Sequence, residues 1–243
     1  LEQARRLLAR HLRLVKPAEH VAGRAWAFRH AVEVDATTRF ARMAERLARI
    51  GTPAPLVELA AASSRDESRH AEYCAELAER YRAPLLTEPV VASEIAPARL
   101  SFRKRVLYEV AAVCVSETES SVMLVTLMGE TSGDMHALLR EFSRDEVKHA
   151  RFGWAVLASH KDTDDLSFLA TWIPWMLRAT TGDSFVEETR GPEDPALTKH
   201  GVLPYSARRR VFLKTLEDMV FPGLEALGVD ADPSRAWLAK SLA

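Results

Sequence analysis

Apolar residues recur every three or four positions along most of the chain, and no stretch alternates apolar with polar residues at every second position. This spacing is typical of amphipathic α-helices that bury one face. Four long helices are predicted, over residues 18–50, 53–82, 100–128 and 134–160. The pattern therefore predicts an all-α protein, with long helices of roughly 40 Å at about 1.5 Å per residue.

Glycine and proline mark the ends of these helices. Gly51, Thr52 and Pro53 separate the first two helices, and residues 129–133, which begin and end with glycine, separate the last two. Both breaks are typical of tight helix–helix turns. A longer connection over residues 83–99 carries three prolines and joins the two hairpins. Two short turns and one crossover predict a four-helix bundle.

Shorter helical segments flank the predicted bundle. They cover residues 1–15, 164–180 and 206–227, followed by a closing turn or helix from Pro233. A loop that contains glycine and proline leads from the second of these to Pro204. We interpret the chain as one domain, residues 1–243, with a four-helix core at 18–160 and a C-terminal helical extension at 161–243.

A nine-residue segment occurs twice in the predicted core. Residues 65–73 read Arg-Asp-Glu-Ser-Arg-His-Ala-Glu-Tyr, and residues 144–152 read Arg-Asp-Glu-Val-Lys-His-Ala-Arg-Phe. Five of the nine positions are identical at an offset of 79 residues, and the shared motif is Asp-Glu-x-x-His. Glu-x-x-His alone is a weak signal, but its duplication inside a longer repeat makes it much more specific.

The repeat places a carboxylate and an imidazole together on each of two helices. Residues i and i+3 share one helical face, so Glu67 can bind a metal ion together with His70. Glu146 and His149 have the same spacing. A carboxylate beside an imidazole suits iron or manganese, whereas a structural zinc site favours thiolates.

Hairpin symmetry adds one further glutamate from each remaining helix. Residues at equal distances from a tight turn lie level with each other in an antiparallel hairpin. Glu33 and Glu67 are equidistant from position 50, beside Gly51. Glu117 and Glu146 are equidistant from the middle of the second turn. Each hairpin is therefore predicted to offer one lone glutamate level with one Glu-x-x-His.

Helical faces favour the same glutamates. Glu33 lies on an apolar stripe, whereas its competitor Asp35 shares a face with Arg39 and is expected to point outward. Glu119 lies about 200° around the helix from Glu117, so the two cannot both be ligands. Symmetry favours Glu117, and Glu119 stays the alternative because its neighbours are also apolar.

The predicted cluster contains four carboxylates and two imidazoles. Its members are Glu33, Glu67, His70, Glu117, Glu146 and His149. Four carboxylates facing one bundle core repel each other and are costly to bury, and two divalent cations would neutralise that charge. A dinuclear metal centre is therefore predicted. His30, one turn before Glu33 on the same face, is a candidate further ligand or outer hydrogen-bonding residue.

The composition of the chain bears on its binding partners and its cellular location. The chain has 33 Lys and Arg against 34 Asp and Glu, a net charge of −1, so nothing indicates a nucleic-acid partner. Its two cysteines do not form a disulfide framework, which fits a reducing compartment. The longest apolar stretch, residues 166–177, is shorter than the ~20 residues of a membrane span. The expected location is the cytoplasm, with no membrane association.

The motifs over residues 18–160 resemble the ferritin-like diiron carboxylate superfamily, with lone Glu33, Glu67-x-x-His70, lone Glu117 and Glu146-x-x-His149. The resemblance implies a ferritin-like bundle in which these residues bind two irons that react with O2. It also implies that Asp66 and Asp145, each preceding a motif glutamate, act as outer carboxylates that hold the metal-bound imidazoles.

The second histidine resembles the oxidase and oxygenase branches more than the ferritins. Radical subunits in this superfamily carry a tyrosine where this chain has Cys74, and arylamine N-oxygenases carry a histidine where it has Phe142. The expected function is a non-haem diiron oxidase or oxygenase that acts on O2 and a small organic substrate. Its expected partners are an electron donor and a second copy of the chain in a homodimer.

Two alternatives stay open. One is a ferroxidase, iron-handling or peroxide-reducing protein without an organic substrate. The other is a ferritin-like scaffold that binds a Mn/Fe or Mn/Mn pair or acts as a partner module.

Overall fold

The computed structural model describes residues 17–87, 96–177 and 193–241 of the chain. Within these ranges the protein consists of helices and connecting turns, with no β-strand, which confirms the all-α prediction. The four long helices are α1 (Pro17–Arg49), α2 (Ala54–Arg80), α3 (Phe102–Gly129) and α4 (Gly133–His160). The observed helix ends lie within two residues of the predicted ones.

The four long helices form a four-helix bundle. Helix α1 packs along α2, and α3 packs along α4. Further contacts join α2 to α4 and α1 to α3, so the two hairpins close around a shared core. Gly51 lies in the turn between α1 and α2 and has a φ of +79°, a backbone conformation that glycine adopts without steric cost.

Helix α3 is the most apolar of the long helices. It is the one helix in the described ranges that is long and apolar enough to cross a membrane, with an 18-residue window of mean hydropathy 1.4. In this structure 72% of that window is buried inside the protein. Because its neighbours cover the helix, its apolar composition is that of a bundle core and is consistent with a soluble protein.

The C-terminal extension lies against α3. It contains α5 (Tyr205–Thr215), a π turn (Leu216–Val220), α6 (Phe221–Ala226) and α7 (Asp232–Ser241). The sequence predicted one continuous helix over 206–227. Pro222 has no N–H to donate and its ring crowds the preceding turn, which accounts for the π turn just before it.

The prediction of a helix over residues 164–180 is less accurate than the prediction over 206–227. The chain forms a 3₁₀ helix at Ser167–Thr171 and becomes α-helical only over residues 173–177. The Asp165 carboxylate accepts a hydrogen bond from the backbone N–H of Ser167, which favours a tight turn here over a helix. The predicted helix over 1–15, residues 178–180 and residues 88–95 of the crossover lie outside the described residues.

A polar network joins three helix ends at one end of the bundle. The Thr52 hydroxyl lies 2.9 Å from His160 Nε2, and His160 Nδ1 lies 3.1 Å from Asp164. Arg103 donates to Asp164 Oδ2 at 2.7 Å and to the Ile50 carbonyl at 2.7 Å. The network therefore links the α1–α2 turn to the start of α3 and the end of α4.

We expect Asp164→Asn to lower the free energy of unfolding by about 1–2 kcal/mol at pH 7. The hydrogen bond from Arg103 lowers the pKa of Asp164 to about 2 from an ordinary value of 3.8. A depressed pKa stabilises the fold above the unfolded-state value, and this stability is lost as the pH falls toward 2. Urea unfolding from pH 7 down to pH 2.5 measures it.

The difference in stability between the wild type and Asp164→Asn should therefore begin to shrink below about pH 4 and approach zero near pH 2. Asp162→Asn, at an exposed position two residues earlier, is the matched control and should unfold like the wild type. A stability difference that stays constant across this pH range would contradict the role given to the Asp164 charge.

Candidate metal centre

The six predicted metal-ligand side chains lie together inside the bundle. They form two sets of four in which the ligand atoms all lie within 4.8 Å of one another. The first set is Glu33, Glu67, His70 and Glu146, and the second is Glu67, Glu117, Glu146 and His149. Each set has the residue types and spacing to hold a metal ion. Glu67 and Glu146 belong to both sets, so the two positions share two carboxylates.

Each of the four long helices supplies part of this cluster. Helices α2 and α4 bring their Glu-x-x-His pairs into the core, where Glu67 is 1% exposed and Glu146 is 2% exposed. Helix α3 contributes buried Glu117, and α1 contributes partly buried Glu33. The lone glutamates therefore lie beside the Glu-x-x-His pairs of their own hairpins.

Aromatic rings enclose the two imidazoles. The ring centroid of Phe142 lies 4.4 Å from that of His70, and the Phe40 centroid lies 5.4 Å from that of His149. Phe40 and Phe142 are almost completely buried. These rings exclude water from one side of each imidazole and lower the local dielectric constant, which strengthens electrostatic interactions within the cluster.

Both imidazoles direct Nδ1 toward the glutamates. His70 Nδ1 lies 3.2 Å from Glu67 and 3.4 Å from Glu146. His149 Nδ1 lies 3.1 Å from the other oxygen of Glu67. The two nitrogens that could act as inner ligands therefore face the shared carboxylates.

The outer nitrogens face the two aspartates in a crossed arrangement. His149 Nε2 lies 3.4 Å from Asp66, and His70 Nε2 lies 3.6 Å from Asp145. The aspartate of each repeat thus stands beside the histidine of the other repeat. In a neutral imidazole, a carboxylate at this place favours the tautomer with its proton on Nε2, which would leave the Nδ1 lone pair available to a cation in the cluster.

Asp145 is itself held by cations. Arg69 donates to it at 2.6 Å and Lys148 at 2.8 Å. Burial opposes its ionisation, but the hydrogen bond and charge of Lys148 and the charge of Arg69 lower the net pKa of Asp145 below its usual value. Asp145 therefore stays ionised beside His70.

Shifted pKa values reduce the negative charge of the cluster, because they favour the protonated forms of Glu33, Glu117 and His70. Burial, followed by repulsion from neighbouring glutamates, raises the pKa of Glu33 and of Glu117 well above the usual value. Burial opposes the charge of Glu67, yet the nearby imidazoles of His149 and His70 lower its pKa. Burial disfavours the His70 cation, but hydrogen bonds to Glu146 and Glu67 raise its pKa to about 11.

Three buried polar atoms of the cluster have no hydrogen-bond partner among the described residues. They are His70 Nε2, Glu146 Oε2 and His149 Nδ1. Buried polar atoms are rarely left without a partner because each one costs free energy. A bound cation would supply a partner for Glu146 Oε2 and His149 Nδ1, which fits this residue set to a metal site.

The structure places Glu117, and not the alternative Glu119, in the cluster. Glu117 belongs to one of the two ligand sets, and Glu119 belongs to neither. Glu119 is buried on another side of α3, where its charge acts on Arg208 of α5. His30 is also outside both sets, and its buried Nδ1 has no hydrogen-bond partner in the described part of the chain. A role for His30 at the centre stays a prediction.

The sequence interpretation of Arg39 was wrong. Arg39 was grouped with the outward face of α1, but it is only 9% exposed and its Nη2 lies 3.6 Å from Glu117. Helix α1 contacts both α2 and α3, so its buried face is wider than the single stripe inferred from Glu33. The approach of α3 to α1 depends on tertiary packing, which local periodicity does not specify.

Both cysteines, Cys74 and Cys114, are unpaired and completely buried in the core. Burial raises the pKa of the Cys74 and Cys114 thiols, so both stay neutral. Neither belongs to a ligand set. The cluster therefore offers oxygen and nitrogen donors only.

Comparisons with protein-family models, curated proteins and solved structures found no match for this chain.

Proposed function

We propose that the chain is a ferritin-like diiron protein that activates O2 to oxidise a small organic substrate. The observation that supports this most directly is the pair of overlapping ligand sets that share Glu67 and Glu146. Two metal ions held by these sets would share carboxylate ligands and could act together on one small molecule. Glu33 would complete one ligand set and Glu117 the other.

The donor set favours iron or manganese. Carboxylate oxygens and imidazole nitrogens suit these ions, whereas thiolates, which would favour zinc, are absent from both sets. When bound, two ferrous ions supply electrons for the reduction of O2. A Mn/Fe or Mn/Mn pair is the alternative occupancy, and elemental analysis of purified protein distinguishes these cases.

The protein residues around the centre have separate roles in this proposal. Asp66 and Asp145 lie beside Nε2 of His149 and His70, where their negative charge favours a proton on that nitrogen. The Arg39 guanidinium lies beside Glu117 and orients its carboxylate. Phe40 and Phe142 exclude water from one side of each imidazole, which limits proton exchange with solvent there.

The extension after α4 favours an enzyme over an iron-storage protein. Helix α5 and the π turn cover α3, the helix that carries Glu117. Additional chain beyond the bundle offers walls for a substrate site, which storage does not require. A ferroxidase or iron-handling protein is the alternative, and a large oligomer in size-exclusion chromatography would favour it. We further propose a cytoplasmic location and a separate electron donor.

The direct test mixes protein loaded anaerobically with two equivalents of Fe(II) with O2 in a stopped-flow instrument. We expect a transient visible absorption in the wild type. Glu146→Gln removes a carboxylate shared by both sets and should abolish the transient, whereas Glu72→Gln, at an exposed position on α2, should retain it. Absence of any transient in the iron-loaded wild type would reject the proposal.

A further inference from the structure

Arg69 contacts carboxylates on both helices that carry the repeated motif. Its Nη1 donates to Asp66 on α2 at 3.0 Å, and its Nη2 donates to Asp145 on α4 at 2.6 Å. Its Nε lies 3.5 Å from Glu141, one turn before Asp145. Each nitrogen of the guanidinium therefore faces a different carboxylate, and this arrangement fixes the plane of the group.

The two aspartates that Arg69 joins are the outer partners of the two histidines. Asp66 lies 3.4 Å from Nε2 of His149, and Asp145 lies 3.6 Å from Nε2 of His70. Outer carboxylates of this kind orient a metal-binding imidazole. One side chain on α2 therefore reaches the histidines of both ligand sets, each through one aspartate.

The two aspartates differ in how firmly they are held. Besides Arg69, Asp145 has Lys148, which donates to it at 2.8 Å, and Arg144, whose Nε lies 3.7 Å away. The Asp145 side chain is only 2% exposed. Arg69 is the one lysine or arginine in the described ranges that contacts Asp66, whose side chain is 22% exposed. Loss of Arg69 would therefore release Asp66 more than Asp145.

The second copy of the repeat has no equivalent of this bridge. Lys148 occupies the position of Arg69 in that copy, and it contacts Asp145 three residues earlier on its own helix. Within the described ranges, no contact joins Lys148 to Asp66. A guanidinium offers several donors in a planar fork, whereas an ammonium is a compact point charge, which accounts for the difference.

We infer that Arg69, through its guanidinium fork, is a positioning residue for both histidines of the centre, with its larger effect at His149. The inference rests on the proposed function, because it assigns a role at that centre. Both imidazoles direct Nδ1 toward the shared glutamates. An aspartate that loses its cationic partner restrains its imidazole less, so Nδ1 is directed less well and the bound ion is held more weakly.

Isothermal titration calorimetry of the metal-free protein with Mn(II) measures the Kd of each ion. We expect Arg69→Gln to weaken one ion by about tenfold to a hundredfold, the usual effect of losing an outer partner, and the other ion by less. Arg69→Lys keeps the charge without the fork and should lie between Arg69→Gln and the wild type. Arg65→Gln, at an exposed position on α2, should bind both ions like the wild type.

A double-mutant cycle tests whether Arg69 acts through Asp66. In the Asp66→Asn background, Arg69→Gln should weaken Mn(II) binding by a much smaller factor than it does in the wild type. Lys148→Gln, which removes a cation from Asp145 alone, should have a smaller effect than Arg69→Gln. Urea unfolding of each metal-free variant separates these changes in affinity from a loss of fold.

The Nε2 protons supply a readout that a purely structural role of Arg69 would not change. In Co(II)-loaded protein, the Nε2–H of a coordinated imidazole gives a paramagnetically shifted ¹H NMR signal that exchanges with solvent, and Asp66→Asn identifies the signal of His149. We expect Arg69→Gln to speed exchange of the His149 proton more than that of the His70 proton. Lys148→Gln should affect the His70 proton alone.

Unchanged Mn(II) affinities in Arg69→Gln, or an equal effect of Arg69→Gln with and without Asp66, would overturn the inference. If Arg69→Gln folds poorly, wild-type affinity and proton exchange in Arg69→Lys would overturn the role of the fork.

The same samples test the proposed function separately. Wild type whose Mn(II) affinities depend on Arg69, but which gives no transient with Fe(II) and O2, would reject the proposed function and retain the role of Arg69. A transient in the wild type, together with unchanged affinities in Arg69→Gln, would do the reverse. Wild type that binds no metal would reject both.

Discussion

Glu67→Gln or Glu146→Gln is expected to lower the content of bound metal from about two ions per chain to almost none. Each of these carboxylates belongs to both ligand sets, so its loss removes a ligand from both positions. Glutamine retains the side-chain volume but loses the charge, which limits the change to metal affinity. Elemental analysis after anaerobic loading with Fe(II) and gel filtration measures it.

The two unshared glutamates supply an internal comparison. Glu33→Gln and Glu117→Gln each alter only one set and should leave about one tightly bound ion per chain. Glu72→Gln, which removes an exposed glutamate from α2, should keep the wild-type content. A Glu146→Gln protein that still binds two equivalents would show that this ligand assignment is wrong.

Saturation of the metal-free protein with Fe(II) or Mn(II) is expected to raise Tm by about 10–20 °C. Each ion at a hundredfold excess over its Kd contributes about 2.7 kcal/mol if the unfolded chain does not bind it. The ions also replace the protons that now offset the buried glutamate charges, so the increase should be smaller at low pH. Differential scanning calorimetry under anaerobic conditions measures the shift.

Two variants test whether the increase in Tm comes from metal bound at this cluster. Glu146→Gln should gain almost no thermal stability from added metal. Metal-free Glu33→Gln should melt close to the metal-free wild type, because burial and neighbouring charges raise the pKa of Glu33 and keep it neutral. If metal stabilised Glu146→Gln as much as the wild type, the added ions would be acting at another site.

The helices of the bundle could be predicted because their signals are local. Gly51 and Pro53 interrupt the apolar pattern at the first turn, and the observed helices begin and end within two residues of the predicted bounds. The extension was predicted less well. The 3₁₀ helix at Ser167–Thr171 and the π turn before Pro222 depend on single side chains and on packing against α3, which a period of 3.6 residues does not reveal.

The cluster could be located because an antiparallel hairpin converts distance from its turn into height along the bundle. This rule selected Glu33 opposite Glu67 and Glu117 opposite Glu146, and the structure brings all four together.

The periodicity, the turn residues and the internal repeat were enough to predict the all-α class, the two hairpins and the level at which six polar side chains meet. How the helices pack against one another could be seen only in the folded protein. It placed Asp66 beside His149 and Asp145 beside His70, and it turned Arg39 inward toward Glu117. These contacts join residues of different helices, and the relative rotation and approach of packed helices are set by the whole core.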